Sequence, residues 1–218
     1  MALRARDRSG FAGIHSAWTT GAGGLWSAPA WHARCVAGTL DAQLAAHTAA
    51  DDKEASDVAF VRAFLREHPA DAHLRAQLRG HLTGSGFVLD STRRHVLLLH
   101  HARLDRWLQP GGHGEGEWDP RAIALREIEE ETGLRPADLM PFPSEAILDV
   151  DVHPIPARPG EPAHPHLDVR YGFVARDGAQ PRISEESKAL RWVALDELPS
   201  DADASLRRAV QKLARAAR

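Results

Sequence analysis

The 218-residue chain has a single cysteine, Cys35. That excludes an intrachain disulfide and fits a reducing compartment, so a cytoplasmic location is the expectation. No apolar run approaches the ~20 residues of a membrane helix, and a spanning helix is not among the readings. Neither sign of charge is in surplus: 27 Lys and Arg stand against 30 Asp and Glu, a net −3. This balance gives no general attraction to a nucleic-acid polymer or a membrane surface. Acids are nearly absent before Asp41, and the first fifty residues carry no sustained hydrophobic period. Residues 1–50 are therefore expected to be a poorly ordered extension. Arg4, Arg6 and Arg8 before a Ser/Thr-containing stretch also allow a cleaved presequence, without a secretory apolar region. Residues 51–218 are the expected domain.

Hydrophobic residues make up 43% of the chain, enough for a core. Val58, Phe60, Val61, Phe64 and Leu65 have helical spacing, and a second short helix is expected through Leu74 and Leu78. Gly80-His81-Leu82-Thr83 leads into a strand at Phe87–Leu89. After a turn at Asp90-Ser91-Thr92, a second strand runs from His95 to His100, and the two read as a hairpin. Further strands are expected at Ala146–Val152, at Pro165–Ala175 and around Leu190, Trp192 and Val193. The Pro- and Gly-rich stretch from His153 to His164 reads as a loop. In the strand from Pro165, Leu167, Val169, Tyr171 and Phe173 mark one face, and His166, Asp168 and Arg170 the other. Leu206, Val210 and Leu213 among basic residues predict an amphipathic C-terminal helix. The mixture predicts an α/β/α sandwich around a mixed β-sheet.

Residues 111–134, GGHGEGEWDPRAIALREIEEETGL, carry the chemistry. Trp107-Leu108-Gln109 ends a strand and Pro110-Gly111-Gly112 turns. Asp119 is a suitable N-cap, Pro120 fits the first helical position and Gly133 is placed to end the helix. At about 100° per residue, Glu127, Glu130 and Glu131 share one face. Three carboxylates on one face repel each other, and an isolated helix avoids the arrangement. A hard divalent cation reverses the sign, because Mg²⁺ seeks carboxylate oxygens and shares them with substrate phosphates. Leu125 and Ile128 occupy another sector and can pack on a sheet. Arg126, four residues before Glu130, can orient it. Set against this, a run of charge usually means a solvated helix face.

The segment resembles the Nudix box, G-x5-E-x7-R-E-U-x-E-E-x-G-U, with U a bulky aliphatic residue. Gly112, Arg126, Glu127, Ile128, Glu130, Glu131, Gly133 and Leu134 match. The first glutamate of the pattern falls on Trp118, flanked by Glu117 and Asp119. Gly80-His81-Leu82-Thr83, the run from Trp107 to His113, and His164-x-His166-x-Asp168-x-Arg170-Tyr171 extend the likeness over about residues 55–200.

The resemblance implies a Nudix-type α/β/α fold and hydrolysis of a phosphoanhydride in a nucleoside diphosphate linked to another group. It implies Mg²⁺ as cofactor, with Mn²⁺ as a substitute, held by Glu127, Glu130 and Glu131. Glu127 and Arg126 then count among the catalytic residues. A further glutamate is expected as general base from the loop Ile183-Ser184-Glu185-Glu186-Ser187, with Glu186 first and Glu185 second. His113, His166 and Arg170 are the expected substrate contacts. Alternatively, His166, Asp168 and Arg170 simply line a solvated strand face. His153, His164 and His166 form a further candidate, a transition-metal site. The partner is a small nucleotide or other diphosphate, and a homodimer is allowed. Two other classes share the fold. One is a non-catalytic nucleotide-binding or regulatory module, which the missing first box glutamate permits. The other is an isoprenoid diphosphate isomerase, which would draw on Cys35.

Overall fold

A computed structural model describes residues 39–184 and 187–218, and two short paired strands at 19–20 and 26–27. Its centre is the parallel pair of β1 (His81–Leu89) and β7 (His164–Ala175), in register from His81 opposite His166 to Leu89 opposite Val174. The other strands are β2 (His95–His101), β3 (Arg106–Leu108), β4 (Gly111–His113), β5 (Leu139–Pro141), β6 (Asp149–Ile155) and β8 (Ser187–Ala194). The sheet has eight strands, with a path β8-β2-β1-β7-β5. β3 pairs with β2, β4 with β1 and β6 with β7. Apart from β1 with β7, all these pairings are antiparallel, so the sheet is mixed and open, as expected.

Each helix is fixed by its own caps. In α1 (Asp52–Glu67) the Asp51 carboxylate accepts from the Glu54 amide, and Val61, Phe64 and Leu65 turn inward. In α2 (Pro120–Thr132) the Asp119 side chain accepts from the Arg121 amide, and Gly133 closes the helix at φ 68°. In α3 (Ala204–Ala216) the Asp203 side chain accepts from the Leu206 amide. Leu206, Ala209, Val210 and Leu213 give α3 one buried stripe.

Period-two alternation sorts the sheet's faces. Leu82, Val88, Leu167, Val169, Tyr171 and Phe173 pack with α1 and α2 residues, including Val61, Phe64 and Ile128. Phe87, Leu89 and Val174 pack with the stripe of α3 on the opposite face. The box helix α2 approaches β1 closely at Gly84. A Cβ there would stand 2.3 Å from the Pro120 carbonyl oxygen, and backbone cannot yield as a side chain can.

Three expectations are corrected, and a fourth, the hairpin, is met with a short ladder. The short helix expected through Leu74 and Leu78 is a series of turns, with Leu74 and Leu78 exposed. The Leu74 amide donates to Asp71 and the Gln77 amide to Leu74, three-residue steps that do not propagate a helix. The expected hairpin forms, antiparallel across the turn after Asp90, but its ladder is short, with Leu89 opposite Val96, and β2 pairs along its length with β8. The strand expected at Ala146–Val152 starts at Asp149 and continues through His153 and Pro154 to Ile155. β6 is paired on one side only, so Pro154 is tolerated there without a ladder donor. The polar face of β7 is not solvated, since His164, Asp168 and Arg170 are all buried.

The ordered body also reaches back past the expected boundary at residue 51. Leu40 and Leu44, in a helical stretch over 39–46, belong to the core at 3% and 1% exposure. Asp41 accepts from Arg62 at 2.7 Å. Deleting residues 1–50 is therefore expected to cost about 1.5–3 kcal/mol for each lost leucine. At about 2–4 °C per kcal/mol, thermal melting should fall by roughly 6–24 °C. Equal melting of the full and shortened chains would show that these leucines add no stability.

Candidate active site

The box helix faces the first residues of β4, and the two glycines there decide how closely. The Glu131 carboxylate accepts from the Gly111 amide at 3.0 Å. The Glu127 carboxylate lies against Gly112, where a Cβ would stand 2.5 Å from its Oε1 and 2.7 Å from its Oε2. Arg126 ties the group together. It donates to Glu127 at 2.8 Å, to Glu130 at 2.7 Å, and to the carbonyl oxygen of His113. The expected orienting role of Arg126 toward Glu130 thus has a geometric counterpart, and it extends to Glu127.

The three carboxylates differ in environment. Glu131 is buried, Glu127 is largely covered, and Glu130 stands at 56% side-chain exposure. Burial pushes the Glu127 carboxyl up to about 7; Arg126 pulls against this, and neighbouring Glu130 adds to it. A desolvated carboxylate beside two others is a set of hard oxygen donors suited to a divalent cation.

Gly112 supplies a prediction. The atoms that its added Cβ would strike are the far end of a flexible side chain, not backbone. Gly112→Ala should therefore leave thermal melting nearly unchanged while pushing Glu127 out of position, with a loss of activity on the order of 10–100-fold. Calorimetry and turnover on the same preparation check this; a variant with parent turnover would show that the close approach is incidental.

Trp118, at the first glutamate of the box pattern, is buried and stacks on His73 with centroids 4.1 Å apart. It anchors the loop before α2, as an indole at this point should. Glu117, next to it, accepts the amides of Trp118 and Asp119 through Oε1. Glu185 and Glu186, the candidate general bases, lie outside the described residues.

The sequence-expected substrate contacts fall on the polar sheet face. Register sets Asp151 beside Asp168, and Asp168 beside Thr83. Asp168 accepts from the hydroxyls of Thr83 and Ser85 and, at 2.7 Å, from Arg170 Nε. Arg170 also pairs with Asp149 and Asp151, at 3.4 and 3.3 Å. With 4% exposure, it has its donors turned inward, and contact with a phosphate would require this network to open. His113 and His166 lie together one row further along, their Nε2 atoms 3.3 Å apart. His81 joins them from β1, with its ring 5.1 Å from that of His113 and 4.9 Å from that of His166. Sequence reading did not include His81, Thr83 or Ser85 among site residues. The available signal was the polar alternation His81, Thr83, Ser85, which matches that of His166, Asp168, Arg170.

Residues 80–213 match the NUDIX domain family model, and the chain belongs to the Nudix hydrolase family. It is 30% identical over 118 residues to the CMP-5'-(N-acetyl-N-hydroxy-3-aminopropyl)phosphonate hydrolase of Streptomyces rubellomurinus. That match covers 50% of each chain, so this chain spans about half the length of that curated relative. The fold is similar to that of a C. elegans Ap4A hydrolase, with TM-score 0.50 and 17% identity over 62% of this chain and 95% of that one. A Nudix-family hydrolase from Clostridium perfringens aligns with TM-score 0.44 and 25% identity, over 63% and 95% of the two chains. Among the described residues, no helix is long and apolar enough to cross a membrane.

Proposed function

We propose that the protein is a Mg²⁺-dependent hydrolase that cleaves the phosphoanhydride of a nucleoside diphosphate linked to a second group. The observation that carries this reading is the carboxylate set of α2, gathered by Arg126 and seated against Gly111 and Gly112. Glu127, Glu130 and Glu131 would hold the metal. Bound there, Mg²⁺ supplies charge neutralisation for the diphosphate and acidifies water. Arg126 restrains Glu127 and Glu130 so that their oxygens need little reorganisation on binding. Glu186 is the proposed acceptor of the water proton, because a carboxylate committed to metal is a poorer base. His113 and His166 are proposed substrate-side residues from their position beside the Gly112 turn.

A nucleotide rather than a bare diphosphate is supported by an open cavity of about 530 Å³ lined by Leu97, Ile183, Leu190 and Trp192 together with Gln180 and Arg191. An indole with polar neighbours suits a base or another flat polar group, and the volume is in the usual range for ligand pockets. The curated Streptomyces relative carries a CMP-linked phosphonate in its name, which makes a cytidylyl phosphonate a first substrate to try.

The test is a panel of nucleoside-diphosphate-linked compounds, with the cytidylyl phosphonate among them, assayed for Mg²⁺-dependent release of phosphorylated products. Hydrolysis of at least one member is expected, and Glu186→Gln should lower its maximal rate on the order of 100-fold with little change in substrate affinity. Binding without turnover across the panel would favour the nucleotide-binding module that Trp118 permits. Parent kinetics in Glu186→Gln would assign the base elsewhere.

A further inference from the structure

The sheet face turned away from the box helix carries a second group of potential ligands, since His81 has the parity of Thr83 and Ser85 while Gly84 and Gly86 face α2. Among the described residues, His81, His164 and His166 bring ligand atoms within 4.8 Å of one another. They come from β1 and β7, the two central strands, so their spacing is set by the sheet rather than by a loop. His113 from β4 adds a fourth ring, its Nε2 at 3.3 Å from that of His166.

The hydrogen-bond inventory points to a ligand. His81 is 1% exposed, and among the described residues neither ring nitrogen makes a hydrogen bond of good geometry, although the Gln77 backbone lies close enough to favour a proton on the ring. An imidazole buried in this state leaves at least one ring nitrogen unsatisfied, which is costly unless something else fills the place. His164 is buried as well. Its Nδ1 lies 2.8 Å from the Pro162 carbonyl oxygen, and a carbonyl only accepts. The proton is thereby fixed on Nδ1, and Nε2 is left as a bare lone pair, buried and unpartnered. A ligating histidine is commonly oriented in this way, one nitrogen donating to a carbonyl and the other free for the metal. Glu161 Oε1, 3.8 Å from that Nε2, adds negative charge close by.

The rings are also held in the ligand-competent state. Burial lowers His81 to about 4 and His166 to about 2, with His113 adding to both; burial also lowers His113, with Arg75 adding. All three are neutral bases near pH 7, as metal ligation requires.

We propose that His81, His164 and His166 bind one transition-metal ion of the Zn²⁺ class, with His113, beside His81 and His166, as the nearest further donor. Imidazole suits Zn²⁺, Cu²⁺, Fe²⁺ and Ni²⁺, and not Mg²⁺, so the ion is chemically distinct from that proposed for the glutamates. With Zn–N bonds of about 2.0–2.1 Å, two ligand nitrogens on a tetrahedron stand about 3.3–3.4 Å apart. The distance between His113 and His166 already meets that edge. Three histidines leave one position for water, and His113 drawn in would close the site as in structural zinc centres. It would clamp β4 to β1 and β7, next to the glycines that seat Glu131 and Glu127. This assignment replaces the substrate-side role proposed above for His113 and His166.

The test uses the full chain without a polyhistidine tag, stripped of metal and dialysed. Zn²⁺ is titrated by calorimetry, and Co²⁺ by its visible absorption. One equivalent should bind, with a tetrahedral Co²⁺ spectrum, and Zn²⁺ should raise the melting temperature. His81→Asn, His164→Gln and His166→Gln should each weaken Zn²⁺ binding tenfold or more and remove the thermal shift. His95→Gln, on another part of the sheet, should change neither. If His81→Asn fails to fold, the His164 and His166 variants and the wild-type Co²⁺ spectrum decide. No stoichiometric uptake by the stripped wild type overturns the proposal. So does unchanged uptake in the folded His164 and His166 variants, which would return His166 to substrate contact.

Discussion

Glu130→Gln is expected to reduce Mg²⁺-dependent turnover on the order of 100-fold or more, while thermal melting stays level or rises. The loss follows from chemistry: an amide oxygen is a weak ligand for Mg²⁺ beside a carboxylate. Changes one shell further out already cost about 10–100-fold in metal sites. The stability side follows from position. Glu130 is the most exposed of the three box glutamates, and it pairs with Arg126 on the same helix. Its removal relieves repulsion from Glu127, whose carboxyl is raised by burial and by Glu130 itself. Glu131→Gln is a less clean probe, because Glu131 is buried and receives the Gly111 amide. Initial rates against Mg²⁺ concentration, with a melting curve on the same sample, check the prediction. A Glu130→Gln enzyme with parent rates at limiting Mg²⁺ would remove the metal role from this face of α2.

The parts of the molecule that were legible in sequence are those written in local chemistry. Asp119, Pro120 and Gly133 bound α2 where the structure has it, because a cap, a fixed φ and a left-handed residue act over a few positions. The alternation of β7 separated its two faces correctly, since side-chain direction follows the pleat. Alternation does not say what covers the polar face. A solvated face stood as the alternative for His166, Asp168 and Arg170 because the residues opposite them, Asp149, Asp151 and His153, lie in a segment assigned partly to a strand and partly to a loop. The histidine group was illegible for a related reason. Its members come from β1, β4 and β7, and only the register of His81 with His166 and of Thr83 with His113 brings them together. Leu40 and Leu44 were missed because two leucines in an otherwise aperiodic stretch give no helical signal of their own; the core they join is supplied by α1 and the sheet.

Asp149→Asn is expected to be the most destabilising of these substitutions, at about 3–5 kcal/mol, the usual cost of breaking a buried ion pair by removing one partner. Asp149 has no exposed side-chain surface and meets three cations. Arg208 reaches it through Nε at 2.8 Å and a terminal nitrogen at 2.9 Å, Lys212 at 2.9 Å and Arg170 at 3.4 Å. Losing the carboxylate leaves α3 pressing buried positive charge onto β6. The same replacement at Asp138, paired with exposed Arg135 on the surface, should cost under about 1 kcal/mol. Glu54, from α1, gives the network its pH dependence. Burial opposes its ionisation, but hydrogen bonds from His47, Lys212 and the Ala50 amide outweigh this and hold the carboxyl well below the usual carboxylate range. Since the folded form is the stronger acid, the contribution is complete above the ordinary value of 4.5 and is lost as pH falls below it. Denaturant melts between pH 7 and pH 3 should therefore show a falling stability for the parent and a shallower fall for Glu54→Gln. Parallel curves for the two would mean that Glu54 gains nothing from Lys212 in the folded state, and a loss under about 1 kcal/mol for Asp149→Asn would mean that Arg208 and Lys212 find other acceptors.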